Sequence, residues 1–242
     1  MKITRTASVA VLLVLGATIT ACSKKGPECE QFVATLNPNV EKLNKAMAMP
    51  DDKPEEALAE AKEVQKVTEE GSAAFAKLTL TVPELVKLAG DYNGLLKEVT
   101  TSAKSTQETV KAYQDIAKKL EVLPAQMKSA MEKLTKSCGE DHDPQDADEC
   151  KAIAEMLMHL PKDPTNATEV AKFTGDLSKL EMHKNDMKAV VTEVNATLNG
   201  FVKVGADAKA AAAKAKAATE QQEAAIKKQN QTVEALNKFC AG

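Results

Sequence analysis

The side chains of this chain that could do chemistry fall in three places. The first is Glu140-Asp141-His142-Asp143-Pro144-Gln145-Asp146-Ala147-Asp148-Glu149, with six carboxylates in ten residues. Alternating Asp141, Asp143, Asp146 and Asp148 offer the oxygen ligands that calcium takes. The loop lacks the glycine at the sixth position and the glutamate at the twelfth that turn and close an EF-hand. It therefore reads as a solvated connection able to meet a partner. The second place holds Met156, Met158 and His159, with Met182, His183 and Met187 further on, all soft ligands suited to Cu(I). Methionine also fills irregular cores, so these residues read as core and no metal is assigned. The third is the set of thiols Cys29, Cys138, Cys150 and Cys240, whose spacing lacks the close C-x-x-C pairs of a zinc site. There is no glycine-rich phosphate loop, no H-E-x-x-H and no G-x-S-x-G, and the three histidines are scattered. No enzyme and no cofactor are expected.

The elements that must position these residues are helices, because apolar residues recur at alternating steps of three and four. Val33, Leu36, Val40, Leu43 and Met47 form the first stripe, which Asn37-Pro38 either kinks or starts. A second helix runs from about Glu55 to Leu80, with Gly71 as its weak point. Thr81 facing Glu84 has the pattern of a capping box, and from Leu85 a heptad continues to Leu134. Pro124 must kink or divide it. The polar middle of this seam, Ser102, Thr106 and Thr109, reads as a half-exposed stretch. A short helix follows from about Cys150 to Leu160, and Asn166 with Glu169 offers a new cap. The last stripe keeps its phase from Val170 to Cys240, which makes it one long bent helix. Asn199-Gly200 and Gly205 are the places where a hairpin would otherwise turn. Within it, Asp207 to Ala218 is an alanine-rich helix former with a solvated lysine face.

Composition excludes further roles. Arg5 is the only arginine and tryptophan is absent. Setting aside Lys2 and Arg5 leaves 30 basic residues against 35 acidic, a net charge near −5. Without guanidinium forks or excess positive charge, the chain lacks the usual means of gripping phosphate and base edges. No nucleic-acid partner is expected. The aromatics, five Phe and two Tyr, fall mostly on the apolar stripes and read as core.

At the start, Lys2 and Arg5 precede an apolar run from Val9 to Leu15, then Ile19-Thr20-Ala21-Cys22. The run is shorter than the ~20 residues that span a bilayer, and small residues beside the cysteine are those of a cleavage site. This stretch resembles the lipobox of bacterial lipoproteins. The resemblance implies a signal peptide over residues 1–21, lipid on Cys22 and a polar tether over 22–27. Ser23, where an Asp would retain the protein in the inner membrane, implies the outer membrane. In such an exported chain four remaining cysteines suggest two disulfides, with three possible connectivities. Spacing favours Cys138 with Cys150 and Cys29 with Cys240.

The expected architecture is all-α: an elongated antiparallel bundle with long coiled-coil-like helices, a single domain over 28–242, with four helices at its base and three at its tip. The expected function is that of a lipid-anchored bacterial envelope protein, membrane-bound through its N-terminal lipid. It would act without catalysis as a helical spacer, scaffold or accessory subunit with an envelope protein as partner. The alternative is a periplasmic bundle that binds or senses a ligand or metal.

Overall fold

The computed structural model describes residues 26–49, 53–139 and 144–241. Among these there are six helices and no strand: α1 (Pro27–Met47), α2 (Pro54–Phe75), α3 (Pro83–Ser137), α4 (Pro144–Leu157), α5 (Ala167–Leu177) and α6 (Asn185–Ala241). Four of them open on proline, whose missing N–H would have no helical partner in the first turn. Pro38 and Pro124 lie inside α1 and α3, so neither starts a helix nor divides one. The helices form two compact units, one from the residues up to Lys111 with those from Ala212 onward, the other from Ala112–Ala211.

In the first unit α1 and α2 pack against the first half of α3 and the second half of α6. The core centres on Phe32, Phe75 and Tyr92, all at most 4% exposed. Phe32 meets Phe75 edge-on at 5.4 Å between ring centroids, and Phe75 lies 4.8 Å from Tyr92. Tyr92 donates its hydroxyl to Asn39 Oδ1 (3.1 Å), and Asn39 Nδ2 donates to the Val67 carbonyl (3.2 Å). Burial pushes the Tyr92 phenol pKa up, so it stays a donor. Asn39 fits because α2 carries no side chain at Gly71: a Cβ there would stand 2.0 Å from Asn39 Nδ2. The apparent weak point of α2 is thus the gap that admits a buried amide. The helix ends at Phe75 rather than Leu80, and Leu78 and Leu80 pack on the core from the chain beyond it.

Two of the three residues in the polar seam of α3 are buried, and Thr106 between them is half-buried. Ser102 and Thr109 are 3% and 5% exposed, and Ser102 Oγ donates to the Ala218 carbonyl at 3.0 Å. The residues of α6 in this unit are small, with Ala218 and Ala225 buried a heptad apart. Two backbones can then come close enough for a short hydroxyl to cross between them. Cys29 and Cys240, both fully buried, pair with a Cα separation of 6.3 Å, so the start of α1 is tied to the end of α6.

The second unit holds four helical segments rather than three: the rest of α3, α4, α5 and the first half of α6. Its core includes Leu134, Ile153, Phe173, Leu177, Met187 and Val190. Cys138 and Cys150 pair at a Cα separation of 5.8 Å. Such a short closed loop stabilises by roughly 3 kcal/mol in the chain-entropy picture, and the long one in the first unit by nearer ~5. The last stripe is broken between α5 and α6, where residues 178–184 are not helical. Neither glycine signal is a hairpin. A Cβ on Gly200 would meet Leu123 at 2.6 Å, and one on Gly205 would meet Thr165 at 2.7 Å, so both mark close approaches within α6. Asn166 caps α5 as its spacing predicts, accepting from the Thr168 and Glu169 N–H groups. Leu120, four residues past Ile116 on the heptad expected from Leu85 to Leu134, is 39% exposed, because the buried positions step from Ile116 to Leu123.

The Asn39–Gly71 fit gives a direct expectation. Gly71→Ala forces a side chain into Asn39 and destabilises the fold by about 1–3 kcal/mol, as overpacked cores do. Asn39→Ala leaves the Tyr92 hydroxyl unpaired, at a cost of about 1–3 kcal/mol. In the double variant the clash is gone, so chemical denaturation measures a loss well below the sum of the two.

Candidate functional site

Among the described residues, several ionisable side chains converge on a cleft beside α4 in the second unit. Asp148, Glu149, Ala152 and Ile153 line it from α4, and Leu180, Glu181, Met182 and His183 from the non-helical chain before α6, around a volume of about 310 Å³. Glu149 is 7% exposed. Its Oε1 accepts the backbone N–H of His183 and faces His183 Nδ1, both at 2.7 Å. The His183 N–H is the main cause that holds the Glu149 carboxyl below the ordinary range, with the imidazole and the Lys184 N–H adding to it against the cost of burial. His183 itself is an open side chain, 64% exposed.

A carboxylate holding an imidazole is half of a general-base arrangement. The other half would be a nucleophile, and the described residues lining this cleft offer no hydroxyl or free thiol. The geometry answers a different need. The N–H groups at a helix start have no carbonyl one turn back, and Glu149 meets those just ahead of Asn185 while favouring the positive end of the α6 dipole. It also falls in the break that the apolar phase did not show: the chain turns at 178–180, and over the non-helical 181–184 the backbone at His183 bonds to α4.

Glu28 does the same work in the first unit. Its carboxylate accepts the Thr81 N–H (2.9 Å), the Val82 N–H (3.0 Å) and the Thr81 hydroxyl, just ahead of α3. The Thr81 hydroxyl and then the two N–H groups draw the Glu28 pKa down. The Thr81–Glu84 capping box therefore does not form. Thr81 lies outside a helix that begins at Pro83, and its hydroxyl is taken by Glu28.

The other sequence candidates do not converge. Cys22 and residues 140–143 lie outside the described residues, so the lipidation site and the first four residues of the acidic stretch are not placed; the rest of that stretch is helical, because α4 starts at Pro144 rather than near Cys150. Met187 is fully buried, Met158 is 75% exposed, and Met156 and Met182 pack against the core. Among the described residues no group of three His, Cys, Asp or Glu side chains could hold a metal ion, and no helix is long and apolar enough to cross a membrane. Of the four disulfide cysteines, all are paired as spacing favoured. The lysine face of α6 is solvated, with Lys214 on Glu108 and Lys216 on Glu220. A second, polar groove of about 490 Å³ lies between α2 and α3, lined by Glu69, Ser72, Asn93, Lys97 and Thr100 among others. Glu28 and Glu149 were missed as capping groups; the available signal was that each immediately precedes a disulfide cysteine.

Both carboxylates have folded pKa values below their unfolded ones. Their contribution is whole above the unfolded carboxylate value of about 4.3 and disappears as pH falls through the lowered folded values. Glu28→Gln with Glu149→Gln lowers the Tm at pH 7. The gap to the unaltered protein narrows below about pH 4.3 as its own carboxylates protonate, which thermal melts across pH 2–7 measure.

No protein-family model matches the chain, and neither the curated proteins nor the solved structures include one significantly similar to it.

Proposed function

We propose that the chain is a lipid-anchored protein of a bacterial envelope, held at the outer membrane through Cys22, whose helical bundle acts without catalysis as a spacer, scaffold or accessory subunit for another envelope protein. The observation that carries this reading is Ile19-Thr20-Ala21-Cys22 behind a basic start and a short apolar run. Two paired cystines support it, because disulfides persist in exported proteins and are rare where thiols are kept reduced. The role rests on the helical surfaces: α3 and α6 have 55 and 57 residues, and helical faces are a common means of protein recognition. Buried, hydrogen-bonded Ser102 and Thr109 and the dispersed methionines give no support to the ligand-sensing alternative.

Two measurements test the two parts. Labelled fatty acid is expected to enter the protein and to be lost with Cys22→Ser; incorporation that survives the substitution removes the anchor. Crosslinking in the native envelope is expected to capture one dominant protein, and replacement of residues 140–143 by a Gly/Ser segment of equal length, which leaves α4 intact, to reduce that capture at least several-fold. Capture of no specific protein removes the scaffold role.

A further inference from the structure

The two units are built to one plan, and the sequence carries its trace. Glu28-Cys29 opens α1 and Glu149-Cys150 stands in the first half of α4, followed by core residues at the same steps: Phe32 and Leu36 in one, Ile153 and Leu157 in the other. In α2, Glu63-Val64-Gln65-Lys66-Val67-Thr68 matches Glu169-Val170-Ala171-Lys172-Phe173-Thr174 of α5, and Ser72 matches Ser178. These serines bond to equivalent asparagines, Ser72 to Asn93 and Ser178 to Asn195. The long helices correspond throughout at a shift of 102 residues. Pro83 falls on Asn185 and Cys138 on Cys240, while buried Leu85, Leu88, Leu96, Ile116, Leu123 and Leu134 fall on buried Met187, Val190, Leu198, Ala218, Ala225 and Leu236. The capping carboxylates correspond too, since Glu28 holds Thr81 and Glu149 holds His183.

We infer that the chain is a tandem pair of one module, two short helices and a long one, in which each short-helix pair is a docking surface for the far half of the long helix of a second copy of the module. The modules run from α1 to Cys138 and from α4 to Cys240. Each compact unit takes its short helices and the near half of a long helix from one module, and the far half of a long helix from the other. Each cystine then joins the start of one module to the end of the other: Cys29 to Cys240, Cys150 to Cys138. Packing pairs transform consistently. Ser102 on Ala218 in the first unit becomes Val204 with Ile116 in the second, and those two share one apolar cluster. A small pair in one unit answers a large pair in the other, so a mixed Ser102–Ile116 pair has an intermediate volume that either seam can take.

Two full-length variants test the docking. In the first, a permuted chain, Ala241 is joined to Pro27 through a copy of residues 139–148 and the chain is opened within 140–143. It is expected to keep both original cystines and a cooperative melt. In the second, residues 144–241 are replaced by another copy of 27–138, so that a module must accept its own long helix. This doubled chain is expected to fold as a helical monomer with two cystines, each between Cys29 of one copy and Cys138 of the other, read by disulfide mapping and native mass spectrometry. A doubled chain with free thiols or loose helices beside a folded permuted chain overturns the docking. Failure of the permuted chain overturns the equivalence of the two module junctions.

Discussion

A long helix must begin somewhere, and its first N–H groups have no carbonyl of their own. In this protein the chain just ahead of each long helix is held by a distant carboxylate. Glu28, 53 residues before Thr81, and Glu149, 34 before His183, supply the acceptors ahead of α3 and α6. Each stands next to a cysteine that ties a short helix to the end of a long one. The cystine fixes where the carboxylate stands, and the carboxylate fixes where the long helix begins. The starts of both long helices and the connections that lead into them depend on this arrangement.

The core accommodates what the helix starts dictate. Once α3 and α6 are in register, small residues on one seam face hydroxyls on the other, and close approach replaces bulk. Alanine buries little apolar area, so the stretch around Ser102 and Ala218 contributes through close packing and one hydroxyl–carbonyl bond. Bulk is concentrated elsewhere, in the Phe32–Phe75–Tyr92 group and in the Phe173 and Met187 core. The Asn39 amide sits among aromatic rings because Gly71 leaves it room and Tyr92 and Val67 use both of its ends. A buried polar network satisfied in this way specifies one register.

Much of this was legible from residues alone. Heptad spacing located the long helices, the Asn166–Glu169 cap located α5, and cysteine spacing anticipated both cystines. These signals are local, or depend only on a helical period. The end of α2, the break at 178–184 and the loss of the Thr81–Glu84 box were not legible, because each depends on a hydrogen bond or packing surface far along the chain. The module repeat was hidden for a related reason. The short helices and the loop between them differ in length between the copies, so no single period relates the two, and the matched residues emerge only helix by helix.

By itself the sequence determined an all-helical fold, its apolar seams, its paired thiols and the absence of a catalytic or nucleotide motif, because periodicity and residue chemistry are carried within a few turns of chain. Only the tertiary structure decided that Gly71, Gly200 and Gly205 are points of close approach rather than breaks, that Ser102 and Thr109 are buried, and that two glutamates cap the long helices. Each of these depends on what lies on the far side of a side chain, and folding alone brings that neighbour there.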